Sequence, residues 1–263
     1  MRVISMVAFK GGSGKSTMTI NLAATLAGSH AVAVIDLDPQ GNASGALPIT
    51  DIGNLTAAEA LSEAIRNPKF RLRPTDWSTV TFDDGSGFYL LPTPDPDALA
   101  QVAEQLSRPG GERTLQRLIS SVRGLDAILI DTAPSLSWLI SNATVASTTV
   151  FSVFTEQRWS LEGAIKAENL VQDMRASKIS KATFGGAILN KTKARQSVSA
   201  KVVQELSTDS GLKVLKTTIP ERAAVYEGEL TSLPVVIASP RSAITKSFND
   251  LGREVWRISK GRT

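Results

Sequence analysis

Valine- and isoleucine-rich runs recur along the chain at 2–8, 31–36, 126–131, 148–154, 183–189 and 214–219. They are nearly continuous apolar runs rather than alternations, the mark of strands covered on both faces. Stretches of helical period separate them, at 15–28, 56–66, 96–107, 112–123, 135–144, 160–176, 196–209 and 240–258. Strands alternating with helices predict an α/β chain with a mostly parallel, twisted sheet and helices on both faces. No repeat is present, and residues 1–263 read as a single domain, since one such sheet accounts for a chain of this length. The least regular stretch, 67–95, holds Pro68, Pro74, Pro92, Pro94 and the run Asp83-Asp84-Gly85-Ser86-Gly87. It predicts a turn-rich excursion with one short strand, Phe88 to Leu91. The last helix is expected to take Ser239 as N-cap with Pro240 in its first turn.

Composition changes this picture mainly by exclusion. The chain is 42% hydrophobic and 21% charged, as in a folded soluble protein. It has no cysteine, which excludes disulfides, zinc–thiolate sites, cysteine nucleophiles and an iron–sulfur cluster. The one histidine, His30, follows Gly28-Ser29 in a turn and reads as a surface residue, so neither a Ser-His-Asp triad nor a multi-histidine metal site can be built. The apolar run from Met1 to Ala8 is too short for a signal peptide, and no window approaches a membrane span. A cytoplasmic protein is expected. Lys and Arg number 29 against 25 Asp and Glu, a net charge of +4. That surplus suits ordinary solubility as well as a basic face for nucleic acid or anionic lipid.

The chemistry concentrates where the first strand meets the first helix, at Lys10-Gly11-Gly12-Ser13-Gly14-Lys15-Ser16-Thr17. Three glycines there let backbone N–H groups approach a polyphosphate that side chains would obstruct. The following helix presents its positive N-terminal end to the same anion. In this setting Lys15 reaches the β- and γ-phosphates of ATP, the Ser16 hydroxyl ligates Mg²⁺, and Thr17 is placed for the α-phosphate. The loop departs from Gly-x-x-x-x-Gly-Lys-Ser/Thr in two ways: residue 9 is Phe9 rather than glycine, and a second lysine, Lys10, opens it. Asp36 and Asp38, in Val34-Ile35-Asp36-Leu37-Asp38-Pro39-Gln40-Gly41-Asn42-Ala43-Ser44, stand two apart at a strand end and so face one side. The apolar strand Ala127-Ile128-Leu129-Ile130-Asp131 ends in a carboxylate suited to hold Mg²⁺ through water. Exposed turn carboxylates are the plainer account of the first pair, and a buried strand that happens to end in Asp is the plainer account of the second.

Together these segments resemble the ParA/MinD family of deviant Walker A P-loop ATPases over essentially the whole chain, least so over 67–95. The wording Asp-x-Asp-Pro-Gln-Gly-Asn looks specifically like ParA. The resemblance implies a P-loop NTPase domain that forms a homodimer with ATP sandwiched between subunits. In such a dimer Lys10 crosses to the partner's phosphates, and Gly11 lies where the subunits meet closely. It further implies that Asp38 orients the attacking water, that Asp36 supports Mg²⁺, that Asn190 bonds adenine, and that the loop at Pro220 covers the base. Asn190 as a simple turn former is the competing account. With the loop starting at residue 10, an N-terminal helix-turn-helix domain is not expected. In-line attack by water requires positioning and charge neutralisation, and no glutamine or arginine finger is evident, so slow basal hydrolysis stimulated by a partner is expected.

Two partners compete. Basic residues in the second half, among them Lys193, Arg195, Lys216, Arg222 and Lys246, suit non-specific DNA, with a nucleoid-associated protein acting for a ParB-like adaptor. Each is equally at home as a solvated surface charge. Alternatively, Ile244, Phe248, Leu251, Val255 and Ile258 make one apolar face of the last helix, flanked by Lys246, Arg253 and Arg257, as a MinD-like membrane helix would. Docking of that face on the sheet is the expected outcome, so no membrane partner is expected. The cargo, whether chromosome, plasmid or protein cluster, is not specified.

Overall fold

The computed structural model describes residues 1–134, 137–193 and 208–259. Strands β1 (Arg2–Val7), β2 (Val32–Leu37), β6 (Ala127–Thr132), β7 (Thr149–Phe154) and β8 (Thr183–Thr192) are the predicted apolar runs, with ends shifted by a few residues at most. With β3 (Ile49–Asp51), β4 (Ser78–Thr81), β5 (Gly87–Leu91) and β9 (Ile219–Pro220), they form one sheet among the described residues, in the order β3-β4-β5-β2-β6-β1-β7-β8-β9. Only the β3–β4 and β4–β5 pairings are antiparallel; the rest of the sheet is parallel.

Alternation along the strands divides the core. Ile4, Met6, Val32, Val34 and Leu129 point to one face, against α1 (Lys15–Ala27) and α10 (Ala243–Ile258). Val3, Ala33, Ile35, Ile128 and Ile130 point to the other, against α3 (Ala57–Arg66), α4 (Pro96–Gln105), α5 (Thr114–Ser120) and α6 (Trp138–Ala146). On that same face, Val7 and Val150 meet Ala167 and Val171 of α7 (Arg158–Ala176). Among the described residues there are also α2 (Asn42–Gly45), α8 (Ala223–Leu230) and α9 (Val235–Ala238).

Local chemistry sets several starts. Thr56 and Glu59 form a reciprocal capping box on α3, and Asp95 caps α4 with Pro96 at its first position. The cap of the last helix differs from expectation. Ser242, not Ser239, accepts from Thr245 N, and Ser239 and Pro240 lie in the turn between α9 and α10. The excursion at 67–95 holds two strands rather than one, because Gly85 at φ 80 allows a tight turn that returns β5 onto β4. The expected strand 214–219 is also broken: Val214 makes an isolated bridge to Ala187, and pairing resumes only at Ile219. Arg195 and most of the expected helix 196–209 lie outside the described residues, as do 135 and 136 at the start of the expected helix 135–144.

The apolar face of α10 is covered. Ile244, Phe248, Leu251 and Val255 are all at most 2% exposed, packed on α1 and the sheet. At the far end of this helix Trp256 stacks on His30 with ring centroids 3.8 Å apart, and the Arg2 guanidinium lies 3.6 Å from the indole centroid. The lone histidine is therefore a packing residue, partly exposed in its turn.

Candidate nucleotide site

The adjacent parallel strands β2, β6 and β1 end together, which places the loop after β1 beside Asp38 and Asp131. This is the carboxyl edge of the sheet, where open α/β folds bind ligands. Gly12 and Gly14 take φ 74 and 83, turning the backbone into a cradle that ends on α1. Gly14 has a second reason to be glycine: a Cβ there would meet the Asn190 side chain at 2.3 Å. Phe9 stands where the commoner loop has its first glycine, and it packs on Gly163 of α7.

Lys15 is the electrostatic centre. Its Nζ lies 2.9 Å from Asp131 Oδ1 and 3.5 Å from Asp38 Oδ2, with 6% of the side chain exposed. Burial alone would lower its pKa, but Asp131, followed by Asp38 and Asp36, holds it above the ordinary lysine value. Asp131 Oδ1 also accepts from Thr19 at 3.2 Å, while Asp131 Oδ2 is buried with no partner among the described residues. A buried, unpaired oxygen on the carboxylate that meets Lys15 of the loop suits a hydrated divalent cation, so the residues present fit Mg²⁺.

Asp36 is placed differently from Asp38. It is fully buried, in register with Asp131 on the next strand. Its Oδ1 accepts from Asp38 N at 3.1 Å and its Oδ2 from Ser44 N and Oγ at 2.9 and 2.7 Å. Burial first, then the Asp131 charge, push its pKa up to about 7 against those donors. Both oxygens are engaged, so the arrangement lets Asp36 act on the site by shaping the turn that carries Asp38. Thr93 completes that turn, donating to Asp36 O at 2.7 Å and to Ser44 Oγ through its N–H at 2.9 Å. Ser44 closes the segment read from the sequence, though its bond to Asp36 was not expected; Thr93 carries no signal there, and only the sheet order brings 93 to 36.

Lys10, Gly11, Gly12, Ser13, Gly14, Lys15, Ser16, Thr17 and Asp38 all line one cavity of about 690 Å³. The Lys10 ammonium donates to Gln157 Oε1, at the start of α7. Asn190 donates to Ser13 O at 2.8 Å and, with Pro220, Ile219 and Tyr226, lines an adjoining hollow of about 70 Å³. Four of the five expected DNA-binding residues are described: Arg222 borders that hollow, Lys216 and Lys246 lie on or against α10, and Lys193 lines an adjoining hollow beside Lys10; all four are exposed.

The model of the AAA domain family matches residues 1–183. The chromosome-partitioning ATPase Soj of Thermus thermophilus is 29% identical over 259 residues, covering 97% of this chain and 95% of that protein. Among solved structures, McdA of Cyanothece superposes with a TM-score of 0.81 at 19% identity, over 97% and 99% of the two chains. The septum site-determining protein MinD of Pyrococcus horikoshii, complexed with Mg-ADP, does so with a TM-score of 0.73 at 26% identity, over 97% and 95%. With the phosphate loop, the sheet order and the family match in agreement, this chain belongs to the AAA-domain family of P-loop ATPases, in its ParA/MinD branch.

Proposed function

We propose that residues 1–263 act as one ATPase domain that dimerises around ATP, binds DNA non-specifically, and partitions or positions a chromosome, plasmid or other cargo. The observation that carries this reading is the deviant phosphate loop, with Lys15 held between Asp131 and Asp38 and a second lysine, Lys10, at its mouth. The likeness to Soj, a chromosome-partitioning ATPase, supports it.

On this reading the backbone of Gly11 to Gly14 and the N-terminus of α1 bind the phosphates, with Thr17 at the α-phosphate. Lys15 neutralises charge on the β- and γ-phosphates. Ser16 and Asp131, with Asp36 in support, would hold Mg²⁺, which would supply further neutralisation of the triphosphate. Asp38 orients the attacking water, and Asp36 keeps Asp38 in place. Lys10 leaves Gln157 to reach the partner's nucleotide. Asn190 and Pro220 border the base. Nothing in this set is a strong base, so basal hydrolysis is slow and a ParB-like partner accelerates it. Lys193, Arg195, Lys216, Arg222 and Lys246 are the proposed DNA contacts. The membrane alternative finds no support in α10, whose apolar face is buried.

Co-sedimentation of the purified protein with non-specific DNA and with anionic liposomes, in ATP or ADP, tests the choice. Binding to DNA in ATP only is the expected result. ATP-dependent capture by liposomes without DNA binding would replace this reading with the membrane one. Lys10→Ala is expected to abolish dimerisation in ATP by light scattering, and an unchanged dimer would remove the cross-subunit role.

A further inference from the structure

Two charged side chains in the wall of the phosphate cavity have no part in the reaction just described: Glu229 and Lys191. Glu229, one residue from the end of α8, accepts a 2.7 Å hydrogen bond from the Thr17 hydroxyl. The same carboxylate borders the base hollow with Tyr226 and Pro220. Lys191 borders both spaces as well, and its ammonium donates to Gly12 O at 3.0 Å. Its backbone sits at φ 54, a left-handed conformation that a lysine keeps only where its surroundings hold it.

We propose that Glu229 and Lys191 set the nucleotide affinity of this site, as opposed charges whose present contacts a polyphosphate displaces. The inference rests on the nucleotide reading of the cavity. A phosphate that accepts from Thr17 brings negative charge against the Glu229 carboxylate. Both are acceptors, so no hydrogen bond can join them, and the carboxylate must withdraw. The helix that carries it can yield. In α8 only Gly228 is buried, while Tyr226 and Leu230 are 46% and 87% exposed. Lys191 acts in the opposite sense. Its ammonium has three donors, of which Gly12 O takes one, so a phosphate beside the loop gains a cationic partner. Affinity is then a balance between one charge that resists the nucleotide and one that draws it in. Withdrawal of Glu229 also makes the position of α8 depend on nucleotide occupancy.

Calorimetric titration of Mg-ATP and Mg-ADP into the full chain tests this with Glu229→Gln and Lys191→Asn. Gln retains an acceptor for Thr17 and removes only the charge; Asn tolerates the left-handed backbone at 191. Glu229→Gln is expected to tighten both nucleotides about fivefold and Lys191→Asn to weaken them about tenfold, charges at a partly exposed site being worth that order. Both differences should shrink in high salt, which a purely structural effect would not do. Equal or weaker binding by Glu229→Gln, repeated in Glu229→Ala in case the first variant fails to fold, would overturn the role of Glu229. Unchanged binding by Lys191→Asn would do the same for Lys191. A wild-type chain that binds neither nucleotide would overturn the reading of the site itself, a result distinct from either.

Discussion

Lys15 shows what a single side chain does in this site. It is buried because two carboxylates, Asp131 at the end of β6 and Asp38 in the turn after β2, hold its charge. Removing one partner of such a group leaves the others uncompensated. Lys15→Ala is therefore expected to abolish nucleotide binding and also to lower stability, by roughly 2–3 kcal/mol in urea unfolding, discounted because one side opens on the cavity. A variant that loses binding but keeps full stability would mean that Asp131 and Asp38 are not strained by its loss. Gly14 makes a second residue-scale prediction. Its φ is 83, and a Cβ added there would stand 2.3 Å from the Asn190 side chain. Gly14→Ala should then cost at least about 1 kcal/mol and displace Asn190 from Ser13. Lys15 and the glycines were legible from their spacing alone. The roles of Ser44, Thr93 and Glu229 were not, since each depends on a contact that the chain's local pattern does not encode.

At the scale of elements, the last helix separates a periodicity from its destination. Its apolar spacing served a membrane helix and a docked helix equally well. Packing on α1 decides between them, with Phe248 fully inside. Phe248→Ala is expected to cost about 3–5 kcal/mol by chemical denaturation, the usual penalty for a cavity of that size. A loss well under about 1 kcal/mol would indicate a helix only loosely attached. The same helix pins the approach to β9. Glu254 accepts from Lys216 N at 3.0 Å and Thr217 N at 2.9 Å. Partial burial alone would raise its pKa, but these donors and Arg257 bring it below the ordinary glutamate value. A depressed carboxylate contributes stability above its unfolded pKa, near 4.5, and loses it as pH falls through the lower folded value. Glu254→Gln should flatten that acid limb in thermal melts followed below about pH 5, a small effect because the group is mostly exposed.

Across the whole molecule, four of the residues proposed for DNA are exposed, Lys193 beside Lys10, Arg222 at the base hollow, and Lys216 and Lys246 toward α10. A dimer that joins across the phosphate loops would bring those of two subunits together. DNA binding in ATP is then expected to weaken by roughly tenfold or more between about 50 and 200 mM salt, as several phosphate contacts require. A salt-insensitive affinity would argue that these residues do not face DNA.

The long parallel strands, the longer described helices and the phosphate loop were determined by the sequence itself; β3 and β4 were not legible there. Apolar runs, helical periods and glycines act through local backbone preference and burial, which need no knowledge of the partner element. Tertiary structure decided the rest. It alone set β2, β6 and β1 side by side, so that Asp36, Asp131 and Lys15 share one buried site and Asp36 is lifted to about 7. It also gave the face of α10 to the core and laid Glu229 against Thr17. Those outcomes are set by distances between residues far apart in the chain, and electrostatics and packing depend on distance rather than on spacing.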